Sequence, residues 1–199
     1  MLAYVFWHRP TAGIDAGDYE RDQDGFHRSL AARPPDGFRG SACLRAPELP
    51  WLDAAGLDDS AGYEDWYMVD DWAALGVLRQ AAVAGGHRTA HDRAARRFGA
   101  GTASVMRLCE GAAAPAAARL AVWVSVSGSP QEVEIAGLLL GDGMDADAGL
   151  WRRELALGPA PEYCVLGVTE PAGVGKGRLP ASWSARSYER TAVPADLRS

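Results

Sequence analysis

Four histidines, His8, His27, His87 and His91, all stand in the first half of the chain. Imidazole is the side chain that gives and takes protons near neutral pH. His8 closes the run Leu2 to His8, where Tyr4, Phe6 and His8 alternate with Ala3, Val5 and Trp7. That period predicts a strand with His8 on the Tyr4 and Phe6 face. His27 lies in Asp18 to Ala32, where Tyr19, Phe26 and Leu30 recur at helical spacing and His27 stands beside Phe26. If the His8 face looks toward this helix, both imidazoles border one pocket. Asp65 and Tyr67 share one face of a further predicted strand, Glu64 to Val69, and border the same pocket. An imidazole held by a carboxylate is a general base. The plainer reading is a buried histidine satisfied for structural reasons only.

His87 and His91 are four residues apart, so on a helix they share a face. Two imidazoles at that spacing can bind one metal ion. The zinc-protease pattern, however, needs Glu after the first His, and Arg88 stands there. Asp92 points elsewhere on the helix, so no metal site is expected. With Arg88, Arg93, Arg96 and Arg97 around them, the two read as surface histidines on a solvated helix. Other motifs are superficial. Gly173 to Gly177 has Glu170 and Gly177 where a phosphate loop needs Gly and Ser or Thr. Asp142, Asp145 and Asp147 lack the EF-hand spacing, and Ser41 and Ser129 lack nucleophile-elbow glycines.

The elements that must position these groups follow in order. Strand 2–8 is followed by helix 18–32 and by the turn Arg33-Pro34-Pro35-Asp36-Gly37. Phe38 to Arg45 predicts a second strand. Ala46 to Gly62 is a long polar connection of the kind that forms lids or binding loops. After strand 64–69, Asp70 or Asp71 caps a helix whose Trp72, Leu75, Leu78 and Ala82 are placed on the sheet. Gly85-Gly86 ends it, a second helical run covers His87 to Phe98, and a strand covers Ala103 to Leu108. This is the ferredoxin-like βαββαβ order, an α+β fold with an antiparallel sheet. Gly111 to Ala118 reads as a linker. The pattern then restarts with strand 120–126, a short helix 130–140, strands 151–157 and 162–169, and a last strand 183–193, continuous or broken. The reading is a complete unit over residues 1–110, a linker over 111–118, and a degenerate second unit over 119–199 that has lost its second helix.

The chain has 199 residues, 48% of them hydrophobic, and a net charge of −6. This is an ordinary globular composition, and its sign disfavours nucleic acid and anionic membranes as partners. Cys43, Cys109 and Cys164 are odd in number and far apart, which suits buried thiols in a reduced compartment. No signal peptide or membrane anchor is expected, and the predicted location is cytoplasmic.

Tyr4-Val5-Phe6-Trp7-His8, the Tyr-containing first helix, Asp36-Gly37-Phe38, and Glu64-Asp65-Trp66-Tyr67 before a capped helix together resemble the dimeric α+β barrel superfamily. This group includes antibiotic-biosynthesis-type and heme-degrading monooxygenases. The resemblance covers residues 1–110 well and the remainder poorly. It implies two ferredoxin-like sheets packed into a barrel, within a pseudo-dimeric monomer if the chain is duplicated, or in a homodimer. It also implies a sheet/helix pocket for an apolar or aromatic small molecule, with monooxygenase-like or isomerase-like chemistry and no cofactor. His8, His27, Asp65 and Tyr67 would supply the base and its neighbours. Heme is the alternative: heme-degrading relatives carry an axial histidine about where His87 or His91 stands. Trp7, Trp66 and Tyr67 would then line the pocket and arginines would meet the propionates. A third reading is a non-enzymatic scaffold or regulatory protein.

Overall fold

The computed structural model describes residues 1–49, 51, 62–128, 130–141, 146–171, 174 and 179–193. Its strands are β1 (Leu2–Pro10), β2 (Phe38–Ala46), β3 (Gly62–Val69), β4 (Phe98–Gly111), β5 (Leu120–Ser125), β6 (Gly149–Ala156), β7 (Tyr163–Gly167), β8 (Ser184–Glu189) and β9 (Thr191–Ala192). Its helices are α1 (Ala16–Ala32), α2 (Trp72–Ala84), α3 (Arg88–Ala95) and α4 (Glu132–Leu139). The fold is α+β, as expected from element order.

Every strand pairing is antiparallel, in the order β8-β5-β7-β6-β4-β1-β3-β2-β9. The first four strands lie as β4-β1-β3-β2, and β8-β5-β7-β6 repeats that order in the second half. Only Arg190 separates β8 from β9, yet β8 pairs with β5 and β9 with β2. One chain segment therefore spans both edges and all but closes the sheet into a barrel, which removes most of the exposed edge.

Alternation along each strand divides the side chains between two faces. Ala3, Val5, Trp7, Ala42, Leu44, Trp66, Met68, Trp123, Trp151 and Cys164 fill the barrel interior. The described part of the long connection after β2 contributes Leu49 and Trp51 to the same core, and Trp51 packs on Trp7 at 5.3 Å and on Trp123 at 4.7 Å. The rest of that connection, expected as a lid or binding loop, lies outside the described residues, as do Ser129, residues 142–145 of the acidic loop and residues 172–173 and 175–178 of the glycine-rich loop. Between β7 and β8, where the second unit is expected to lack a second helix, the described residues form no helix of the length of α4.

The opposite face of the first unit is covered by α1, α2 and α3, whose Phe26, Leu30, Leu78 and Ala94 pack with Leu2, Tyr67, Val69 and Val105 of the strands. The same face of the second unit is covered by α4, whose Ile135 and Leu139 pack with Val122, Val124, Leu150 and Val165 of the strands. Asp15 caps α1 by accepting from the Asp18 amide, and Asp71 caps α2 by accepting from the Ala74 amide. Trp72 does not lie on the sheet. It is 51% exposed, because the buried stripe of α2 is Ala74, Leu78 and Ala82 and Trp72 stands roughly 200° around the helix from Ala74. Among the described residues, no helix is long and apolar enough to cross a membrane.

Candidate functional site

Asp65 is the centre of a polar cluster on the helix-facing side of the first unit. It stands in the middle of β3, opposite Phe6 on β1 and Cys43 on β2. Alternation that sends Trp66 and Met68 into the barrel turns Asp65 and Tyr67 toward the helices. The same rule turns Tyr4, Phe6 and His8 that way from β1. From above, α1 presents Tyr19, Gln23, Phe26 and His27.

The structure brings four expected residues together. His8 Nε2 lies 3.3 Å from Asp65 Oδ2, and His27 Nε2 lies 3.3 Å from Asp65 Oδ1. The Tyr67 hydroxyl donates to Asp65 Oδ2 at 2.8 Å. The Tyr67 ring stacks on His27 with centroids 5.1 Å apart and planes 8° from parallel. The imidazoles are fixed from behind. His8 Nδ1 pairs with the Tyr19 hydroxyl at 2.5 Å, and His27 Nδ1 with the Ser41 hydroxyl at 2.7 Å. Such outer contacts set ring orientation. The 3.3 Å contacts fall short of hydrogen-bond geometry, so His8 Nε2, His27 Nε2 and Asp65 Oδ1 are buried without a hydrogen-bond partner.

Asp65 is 1% exposed. Burial pushes its carboxyl up, but the adjacent His8 and His27 outweigh this and hold it well below the usual carboxylate range. Burial and the Asp65 charge push the hydroxyl of Tyr67 and the thiol of Cys43 up. The cluster is thus an ionised carboxylate ringed by neutral O–H and S–H groups and two imidazoles.

Two cavities flank it. The larger, about 740 Å³, lies between the sheet and the three helices. Asp65 and Tyr67 reach it among Tyr4, Phe6, Phe26, Leu75, Leu78, Val105 and Phe98, with Gln23, Arg79 and His91 as its other polar groups. This is the apolar cavity with few convergent polar groups typical of small-molecule sites. The smaller, about 280 Å³, is lined by Asp24, His27, Ser41 and Cys43 and by Val193 after β9. The polar cluster forms the partition between them.

His87 and His91 are not brought together with this cluster. His87 is 5% exposed rather than a surface residue, and its Nδ1 pairs with Ser29 on α1 at 2.8 Å. His91 lines the larger cavity, edge-on to Phe26, with Nδ1 3.2 Å from Asp92. Trp7 and Trp66 line no helix-side pocket; both are fully buried in the barrel interior. Tyr19, Ser41 and Cys43 joined the cluster without being expected there. Tyr19 was legible as a member of the helical stripe. Cys43 and Ser41 alternate on β2 toward the same side as Asp65, but only the β2–β3 register reveals that contact.

No protein-family model matches the chain, and no curated protein does. Solved structures share its fold. A provisionally assigned monooxygenase of Fusobacterium nucleatum subsp. nucleatum aligns over 97% of this chain and 92% of its own, with TM-score 0.59 and 8% identity. An anthrone oxidase-like protein aligns over 96% and 93%, with TM-score 0.51 and 12% identity. A provisionally assigned chlorite dismutase aligns over 98% and 96%, with TM-score 0.53 and 14% identity. These likenesses show that the chain shares its fold with these proteins.

Proposed function

We propose that the larger cavity binds an apolar aromatic small molecule and that the Asp65 cluster removes a proton from it, in a cofactor-free, monooxygenase-like reaction. The observation that carries this reading is the buried Asp65 carboxylate at the wall of an aromatic-lined cavity, backed by two imidazoles at 3.3 Å. Within the cluster an imidazole, His8 or His27, takes the proton, and the ionised Asp65 carboxylate between them orients the ring and stabilises the imidazolium that forms. Apolar walls favour the neutral substrate on entry and exclude water. The deprotonated substrate then supplies the electrons to dioxygen itself. An isomerase would use the same base and return the proton to another carbon.

The fold likeness to monooxygenase-named and anthrone oxidase-like proteins supports the choice of substrate class. Anthrone is a suitable probe, because its methylene is acidified by the flanking rings and carbonyl. Its oxidation to the quinone takes one oxygen atom from dioxygen, and the other leaves as water with the two methylene hydrogens. The test is anthrone binding and oxidation by the full chain, by Asp65→Asn and by His8→Ala/His27→Ala. A loss of turnover of about 10²- to 10⁴-fold is expected in each variant. Unchanged affinity and turnover in the double histidine variant overturns the assignment.

Heme remains a second reading, because His91 faces the larger cavity and Arg79 stands on the same wall. His87 is turned away toward Ser29 and does not fit an axial role. A Soret shift on adding hemin, lost in His91→Ala, supports heme; no shift removes it. A cavity of this size weighs against a purely structural scaffold. We further propose that residues 1–110 and 119–199 are duplicated units joined by 111–118, which makes the chain a pseudo-dimeric monomer whose mass in solution is the check.

A further inference from the structure

The helix-facing side of the first unit holds an imidazole, a thiol and a carboxylate that converge, with His8 Nε2 and Asp65 Oδ1 left buried without a hydrogen-bond partner. One ligand atom each from His8, Cys43 and Asp65 lies within 4.8 Å of the others, and all three residues are buried. We infer that these three residues bind a divalent transition-metal ion of the zinc class, on the partition between the two cavities.

Four features argue for an ion rather than for a structural knot. First, His8 Nε2 and Asp65 Oδ2 are 3.3 Å apart without hydrogen-bond geometry. About 3.3 Å is also the separation of two ligand atoms held tetrahedrally at 2.0 Å bonds. Second, the Tyr19 hydroxyl occupies His8 Nδ1, leaving Nε2 as the coordinating atom, and the Tyr67 hydroxyl braces the carboxylate. Metal-bound imidazole and carboxylate usually have such outer partners. Third, the donor set of one nitrogen, one sulfur and one oxygen suits zinc, cobalt or iron and not calcium or magnesium. Fourth, Cys43 and His27 line the smaller cavity, which supplies a way in for an ion that does not cross the aromatic one.

Binding requires the Cys43 thiol to release its proton to solvent, leaving a thiolate on the metal. Three protein ligands leave one position open, beside His27. The inference does not rest on the proton-transfer reading. The ion and the substrate proton compete for the same His8–Asp65 pair, so the proton-accepting form is the ion-free one.

The test is a cobalt(II) titration of the chelator-treated full chain. Expected are one equivalent bound, a thiolate-to-cobalt charge-transfer band in the near ultraviolet, and displacement by zinc. Cys43→Ser, a nearly isosteric change, is expected to abolish the band, Cys109→Ser to retain it, and His8→Gln to weaken binding more than about 10-fold. No band in the native chain, or a band that survives Cys43→Ser, overturns the site. That result leaves the small-molecule reading intact, since anthrone binding by Asp65→Asn reads it separately.

Discussion

Glu64 and Asp65 are consecutive on β3 and serve opposite sides of the sheet. Glu64 points into the barrel, where Arg190 donates to its Oε1 and the Tyr188 hydroxyl to its Oε2 at 2.8 Å. Asp65 points the other way, to His8 and His27. Two buried carboxylates thus sit one residue apart with separate partners and separate tasks.

The Glu64–Arg190 pair ties β3 to the junction of β8 and β9. Both side chains are fully buried, and Arg190 also donates to the Ala118 carbonyl at 2.9 Å and the Pro115 carbonyl at 2.5 Å. Arg190→Met leaves Glu64 charged and unpaired, with an expected cost of about 3–5 kcal/mol. Glu64→Gln in the same chain is expected to recover much of it. Urea unfolding of the single and double variants checks this; additive losses would show that the two do not act as a pair.

Gly76 is a place to close the larger cavity without disturbing the core. It lies inside α2 on the cavity wall, and a Cβ there meets nothing within 4 Å. Gly76→Ala is expected to stabilise the chain by about 1 kcal/mol through helix propensity. Gly76→Phe puts a ring into the cavity and is expected to abolish probe binding while the chain stays folded. Thermal melting and anthrone titration together check both outcomes.

Gly37 fixes how α2 sits on the turn before β2. Its φ is +74°, and an added Cβ would lie 2.5 Å from the Ala74 Cβ. Gly37→Ala combines left-handed strain with a clash at the residue whose amide Asp71 caps, and about 1–3 kcal/mol of lost stability is expected. Adding Ala74→Gly relieves the clash but not the strain, so recovery should be partial. Denaturant midpoints report both.

Glu20 gives the acid side of the stability profile a defined source. Burial pushes its carboxyl up, but hydrogen bonds from Arg45 at 2.5 Å and from the Tyr63 hydroxyl at 2.9 Å leave it below the usual value. The folded carboxyl therefore titrates lower than the unfolded one. Its contribution is complete above the unfolded value of about 4.3. It is lost as pH falls through the folded value. Glu20→Gln is expected to flatten that limb. Melting temperatures from pH 6 down to about pH 2, native against variant, measure the difference; parallel curves would count against Glu20.

The strand faces were legible because alternation is a local property. It sorted Trp66 and Met68 from Asp65 and Tyr67 and placed His8 with Phe6. The Asp71 cap was legible as one of two adjacent aspartates before an apolar run. Contacts that depend on register or docking were not. Cys43 meets Asp65 through a β2–β3 pairing that includes an irregularity between Phe38 and Gly40. His87 reads as solvated among arginines, but it is buried and pairs with Ser29, 58 residues earlier. The return of β9 to β2 is a long-range pairing of two residues, too short for any periodicity to announce.

On the second unit's helix-facing side the described residues Val122, Val124, Ile135, Leu139 and Val165 form a buried apolar cluster, where the first unit carries the larger cavity and the Asp65 cluster. In a barrel made from two identical chains, every substitution appears twice, so a residue that tightens one side must tighten the other. Here the two sides mutate independently. One can drift toward rigidity while the other tolerates a buried charge and an unfilled volume. A ligand in the larger cavity is accordingly expected to saturate at one per chain.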